Sequence, residues 1–176
     1  YLESSRPRRG DGRLGWYWNL DVVPEAVRGY RYAVGVQPRL HLGDRFDVDL
    51  GVYLMHRDDW LIWQQAREFG SFRTRQVDLY SNLNWFIGEK HELRVKLQAL
   101  AIDAEAAVAR RLNEAGRLVD SSATIRDFQL RNLGFQIRYR YKLASLSDVY
   151  LVYSRGGFAL DEGDTRGLGD ALDDTF

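Results

Sequence analysis

Three histidines and a scatter of carboxylates are the groups in this chain that can do chemistry. His56 is followed by Arg57, Asp58 and Asp59, which sets an imidazole beside two carboxylates within three positions. Such a cluster can polarise a water for attack on an ester or amide. His41 and His91 stand alone, and none of the three falls in an HExxH or paired-ligand spacing, so no metal site is expected. There is no GxSxG elbow and no glycine-rich phosphate loop. Cysteine is absent, which removes disulfides, thiolate zinc sites and cysteine nucleophiles. Asp161, Glu162, Asp164, Asp170, Asp173 and Asp174 form an acidic tail that could ligate calcium, but not at EF-hand spacing. Solvated surface accounts for both acidic clusters more simply than a site does. The expectation is no catalytic residue, no metal and no cofactor.

A second set of charges has a different logic. Arg31, Arg39, Asp47, Asp49, Asp78, Arg94, Lys96, Arg138 and Arg140 sit at alternate positions in runs whose other positions are apolar. Opposite charges on neighbouring strands can pair across a shared face. Two roles remain open for them. They can be a lumen lining that selects an anionic or sugar solute, or ion pairs that close a lumen.

The runs that must carry these charges are strands. From Arg31 to Leu42, Tyr32, Val34, Val36, Pro38, Leu40 and Leu42 share one parity, and Ala33, Gly35, Gln37, Arg39 and His41 the other. After Gly43-Asp44-Arg45 the pattern restarts, with Phe46, Val48, Leu50, Val52 and Leu54 against Asp47, Asp49, Gly51, Tyr53 and Met55. Period two across a Gly-Asp turn predicts a hairpin. The same alternation recurs over 76–87, 93–102 and 125–141, more briefly over 149–155, and in part over 16–23. Residues 1–15 are predicted as a loop, and residues 103–123, rich in Ala, Glu, Arg and Leu, as a long, partly helical loop broken at Gly116. Residues 156–176 are predicted as a loop.

Seven strands result, with short connections at 43–45, 88–91 and 142–148 and long ones near 57–72, 104–122 and 157–175. Alternating short and long connections are a property of outer-membrane barrels, whose strands need about 9–11 residues to cross the bilayer. Aromatics gather near both strand ends: Trp85, Phe86, Tyr139 and Tyr141 at one, Tyr30, Tyr32, Trp60 and Trp63 at the other. That placement fits girdles at two lipid–water interfaces. A mean hydropathy of −0.42 does not oppose this, because half of each barrel strand is polar. Zero formal charge gives no field to draw in nucleic acid.

The segments NLNWFIGEKHELRVKLQALAI (82–102) and FQLRNLGFQIRYRYKLASLSDVYLVYSRG (128–156) resemble the C-terminal half of an uncharacterised bacterial family. Its members join an N-terminal carbohydrate-binding-like domain to an outer-membrane barrel. The resemblance implies location and a glycan link, and no catalytic motif.

The sequence therefore predicts an all-β fold, an antiparallel up-and-down transmembrane β-barrel with residues 1–176 in one domain. The expected role is non-enzymatic, in transport, surface binding or assembly at the bacterial outer membrane. Expected partners are outer-membrane lipid, with a glycan or other outer-membrane or periplasmic proteins beyond it, and no nucleic acid. The rivals are a small outer-membrane hydrolase using His56 and its acidic neighbours, and a soluble lipocalin-like barrel. Seven strands would leave open edges, so the sequence also predicts further pairing, with an eighth strand beginning at Asp174-Thr175-Phe176.

Overall fold

The computed structural model describes residues 2–5, 13–25 and 27–163. Among them nine strands form one antiparallel sheet: β1 (Leu2–Ser5), β2 (Leu14–Pro24), β3 (Tyr30–Leu42), β4 (Phe46–Gln65), β5 (Glu68–Ile87), β6 (His91–Leu112), β7 (Leu118–Asp120), β8 (Phe128–Ala144) and β9 (Ser147–Glu162). Each strand pairs with the next along the chain, except that β8 follows β6 directly and the short β7 pairs with β6 alone. This is an up-and-down meander. It is an open sheet: no pairing joins β9 to β1 or β2 among the described residues.

Alternation sets the two faces. One row of cross-strand partners runs Trp18, Val36, Val52, Leu79, Ala99, Leu133 and Gly157, from β2 to β9. The rows beside it carry Leu20, Val34, Leu54 and Val77 above, and Leu50, Leu97 and Phe135 below. Two positions away, Val48, Leu83, Val95 and Ile137 continue the same face. The opposite face carries Gly35, Gly51, Tyr53 and Tyr80 with the charged residues. In β6 and β8 the polar face is the more exposed one, with Lys96, Gln98 and Gln136 exposed and Ala99 and Leu133 buried, whereas in β3 and β4 the difference is reversed. Val34, Val36, Leu50, Val52 and Leu54 are 40–48% exposed, whereas Gly35 and Gly51 between them are buried.

Glycine on the polar face is what lets the aromatic rings lie flat there. A Cβ on Gly51 would come within 1.9 Å of the Tyr80 ring, and one on Gly35 within 3.1 Å of Tyr53. Each tyrosine thus covers the bare backbone of a cross-strand neighbour. The short turns at 43–45 and 88–90 use Gly43 and Gly88 at φ of 60° and 67°, the left-handed region that hairpin turns require.

Several expectations are corrected. The segment 57–72 is not a long loop: β4 and β5 continue through it to a tight turn at Ala66-Arg67. That turn lacks Gly, Asn and Asp, and Ala66 adopts a φ of 46°. The Trp63 indole N–H donates to the Ala66 carbonyl at 3.2 Å and braces it. The segment 104–122 is not helical. β6 runs to Leu112 and β7 folds back on its end, because the β5 and β7 ladders outweigh alanine's helix preference. Small side chains suit this site, since Ala104 and Ala106 stand in register with Phe128 and Phe72. Strand also replaces loop at Leu2–Ser5, and the last strand extends to Glu162. The turn expected over 142–148 shrinks to 145–146. The expected strand start at Asp174-Thr175-Phe176 lies outside the described residues.

The Gly51–Tyr80 contact generates a test. Gly51→Ala should destabilise by about 1–3 kcal/mol through overpacking, and the same change in a Tyr80→Ala background should cost almost nothing. A denaturant double-mutant cycle measures the difference; additive effects would show that the ring does not stand over Gly51.

Candidate functional site

The polar face is the part of the sheet with an organised chemistry. Register places all nine charged residues singled out by spacing on it. Arg39 is directly opposite Asp49, and His41 opposite Asp47. Asp47 and Asn84, Arg94 and Arg138 continue the His41 row, and Asn82, Lys96 and Gln136 the Arg39 row. Asp78 shares a row with Gly35 and Tyr53, Arg31 pairs in register with Arg57, and Arg140 with Glu92.

Most of these charges meet a partner on the same face. The Arg39 guanidinium meets Asp49 at 2.6 Å. The His41 ring meets Asp47 at 3.0 Å. Asp78 accepts from the Gln76 amide at 2.8 Å. Arg94 and Arg138 are like charges in direct opposition, an unfavourable arrangement. They separate: Arg94 turns along its own strand to Glu92, and Arg138 lies over the Tyr150 ring at 4.5 Å. Glu92 also takes Arg140 at 2.8 Å, so one carboxylate, 3% exposed, holds two guanidinium groups. Sequence reasoning missed Glu92. Its only signal was its position, one residue after His91 and in the parity of Arg94 and Lys96. Asn19 and Asp21, joined at 3.0 Å, were missed as well, because alternation in β2 is only partial in the sequence.

The His56 cluster at the far end of β4 resolves into two separate pairs. The His56 ring bonds Asp58 at 3.2 Å, and the Tyr30 backbone N–H donates to the same carboxylate at 2.9 Å. The Tyr30 bond, helped by His56 and opposed by slight burial, holds the Asp58 carboxyl below the usual carboxylate range. Asp59 turns away from His56. It is buried, accepts from the Ser71 hydroxyl and faces Arg110 at 3.6 Å. A Ser–His nucleophile needs the hydroxyl to bond the imidazole; here Ser71 bonds Asp59 and His56 bonds Asp58. These contacts also make the cluster a latch. It ties the turn before β3 to β4 and β4 to the tip of β6. Gly29 makes the latch possible, since its missing Cβ leaves room for the Asp58 side chain.

Of the remaining histidines, His91 bonds the Tyr139 hydroxyl at 2.5 Å and packs against Tyr141. No group of three or more metal-ligating side chains occurs among the described residues. In the acidic tail, Asp161 pairs with Arg131, and residues 164–176 lie outside the described residues.

At the upper end of the polar face, Phe72 and Phe128 pack edge to face at 5.2 Å, with Trp60 beside them. The extended segment 121–127 folds over this aromatic cluster, and Asp127 accepts from the Ala106 backbone N–H at 2.7 Å. In the middle of the same face lies a hollow of about 680 Å³ floored by Gly134 and Gly156.

No family model, curated protein or solved structure matches the chain. The resemblance over 82–102 and 128–156 therefore stands on those residues alone.

Two measurements test this geometry. Glu92→Gln should lower the unfolding free energy by about 2–3 kcal/mol, because two guanidinium groups lose their carboxylate; an unchanged denaturant midpoint would refute the assignment. For Asp58, the folded carboxyl is the more acidic form. Its stabilisation is therefore complete above the ordinary carboxylate pKa of about 3.9. It is lost as pH falls through the depressed value. Amide exchange at Tyr30, corrected for intrinsic rates, should speed up only below about pH 4, and Asp58→Ala should remove that step.

Proposed function

We propose that the chain forms a non-enzymatic β-barrel wall of the bacterial outer membrane, its apolar face against lipid and its polar face lining a water-filled interior that passes or holds small polar solutes. The observation that carries the proposal is the apolar face shared by β2 to β6 and β8, which is exposed over β2 to β4 and half-buried over most of β5, β6 and β8. Soluble monomers rarely leave an apolar surface of such extent uncovered. A soluble ligand-binding barrel would turn this face inward and expose the ion pairs.

The dimensions support the same assignment. Ten residue steps separate Phe46, near one turn, from His56, in register with Tyr32. At about 3.3 Å per residue and a tilt of about 40°, that is a band about 25 Å tall. Aromatics bound it. Phe46 and Trp85 meet edge to face at 6.2 Å at one margin, with Tyr139 in the same cross-strand row. Tyr30 and Tyr32 stand 6.2 Å apart at the other. β4, β5 and β6, at 20, 20 and 22 residues, run about twice the length a bilayer needs. Their upper halves, with the His56 latch and the Phe72 cluster, project past the band toward the cell exterior. A barrel in hydrocarbon cannot keep an unpaired edge, since each orphaned backbone group costs several kcal/mol. β1 and β9 therefore pair with strands beyond the described residues or with another chain.

Leu50→Arg tests the orientation. In lipid vesicles it should cost about 2–4 kcal/mol of folding free energy. A spin label at Leu50 should be reached by oxygen and shielded from polar relaxants, with the reverse at Asp49. Polar access at Leu50, with the chain soluble without detergent, would overturn the proposal.

A further inference from the structure

The hollow on the polar face exists because two glycines face each other. Gly134 and Gly156 are direct cross-strand partners, in one row with Gly51, Tyr80 and Gln98. The row treats its glycines differently. Tyr80 fills the space over Gly51, whereas nothing fills the space over the other two. A Cβ on Gly134 would meet only the Gln98 carbonyl oxygen at 3.9 Å, and one on Gly156 only the Leu133 carbonyl oxygen at 3.6 Å. Neither glycine has the positive φ that would demand glycine for backbone reasons. Close packing does not need them, and neither does the backbone; their effect is to keep about 680 Å³ open, within the range of small-molecule sites.

The walls have one chemistry. Asn82, Gln98 and Gln136 each offer an amide donor and acceptor, Tyr80 and Ser154 each a hydroxyl, and Lys96 the one ammonium. Leu97, Phe135 and Arg155 border the hollow from positions of the apolar-face parity. No carboxylate lines it. That is selective, because Asp47, Asp49, Asp78 and Glu92 crowd the same face on either side. A ligand here meets bifunctional hydrogen-bonding groups and one ammonium, and no acceptor-only anion. Such walls suit a polyhydroxylated solute, whose hydroxyls both donate and accept. They favour a solute with one negative charge and disfavour a cation.

We infer that the Gly134–Gly156 hollow is a binding site for a small polyhydroxylated solute, neutral or carrying one negative charge, of sugar or sugar-acid type. The inference rests on the barrel orientation proposed above, which makes the hollow part of the interior. It gives the interior a specific occupant at the level of Leu50 and Val52, midway across the apolar band. The Arg39–Asp49 pair lies in the row of its Asn82, Lys96 and Gln136 walls, the Glu92–Arg140 pair lies below it, and Asp78 above it.

The test uses the full chain in detergent micelles with D-glucose, D-glucuronate and D-glucosamine as probes, read by ligand-observed NMR and titration. Glucuronate should bind most tightly, glucose more weakly, and glucosaminium at least tenfold more weakly than glucuronate. Gly134→Val fills the hollow and should weaken both bound sugars at least tenfold. Its denaturant midpoint reports whether the sheet is intact, and Gln136→Leu, which keeps the size and removes the amide, should weaken them on an undisturbed backbone. Lys96→Gln should bring glucuronate down toward glucose. Unchanged binding in Gly134→Val, or glucosaminium bound as well as glucuronate, would overturn the inference. If spin labels place Leu50 in the micelle and Asp49 in water while no sugar saturates, the inference alone fails. If those labels are reversed, the barrel proposal fails with it.

Discussion

Antiparallel pairing is the constraint on which everything else in this molecule depends. Along most of β3 to β6 and β8 the backbone donors and acceptors bond to a neighbouring strand on both sides, and that pairing fixes parity across the sheet. Once Val36 stands opposite Val52, and Val52 opposite Leu79, Gly51 must share the other face with Tyr80, Gln98 and Gly134. The apolar band and the polar lining are therefore one fact seen from two sides. A one-residue slip between any two strands would carry every aliphatic side chain of one of them into the charged face. The register shifts in the sheet spare this core. Between β4, β5 and β6 they fall at Arg57/Trp60, Trp63/Gln65 and Ser71/Phe72, above the apolar rows, and the remaining one is beside the β8–β9 turn.

The shifts allow the upper part of the sheet to follow other rules. Past Arg57 the aromatic residues Trp60, Phe72 and Phe128 gather on the face that is polar lower down, and Asp59, Ser71 and Arg110 gather on the face that is apolar lower down. An apolar patch on a wet, concave surface needs cover, and segment 121–127 supplies it. Buried polar atoms on the other side need partners, and the Asp59–Ser71–Arg110 contacts supply those.

Much of this was legible in the sequence because parity is a local property. The eleven residues Val34, Val36, Val48, Leu50, Val52, Leu79, Leu83, Val95, Leu97, Phe135 and Ile137 share one face, as alternation alone requires. The nine charged positions share the other for the same reason. What was not legible depended on partners. The turn at Ala66-Arg67 carries no turn-forming residue, so nothing local marks the point where β4 ends and β5 begins; the ladder on both sides forces it. The alanine-rich stretch to Leu112 favours helix in isolation and becomes strand because β5 runs beside it and β7 folds back on its end. Glu92 gains its importance from Arg94 on its own strand and Arg140 on the next, and the second of these is its register partner across the β6–β8 ladder, far away in sequence. Tyr80 over Gly51 is likewise a cross-strand relation that no single strand displays.

The order of the two faces decays toward β9, and the reason is again pairing. A strand held on both sides has both its rows fixed by neighbours, whereas β9 is paired only to β8 among the described residues. On its apolar parity Val149, Leu151 and Tyr153 give way to Arg155, and on its polar parity Val152, Phe158 and Leu160 stand among the polar rows. Phe158 is opposite Asn132 and 66% exposed. An edge strand tolerates such mixing because only one of its sides has a neighbour whose side chains it must match. The Gly134–Gly156 hollow lies at this border. Its floor needs β8 and β9 to be in register, which the Gln136–Ser154 and Phe135–Arg155 pairs on one side and Leu133–Gly157 on the other secure. Its walls come mainly from β5, β6 and β8, the strands whose parity is held on both sides. The open floor is thus carried by the less constrained strand and the hydrogen-bonding walls by the more constrained ones, so the groups that would recognise a solute are held in fixed register.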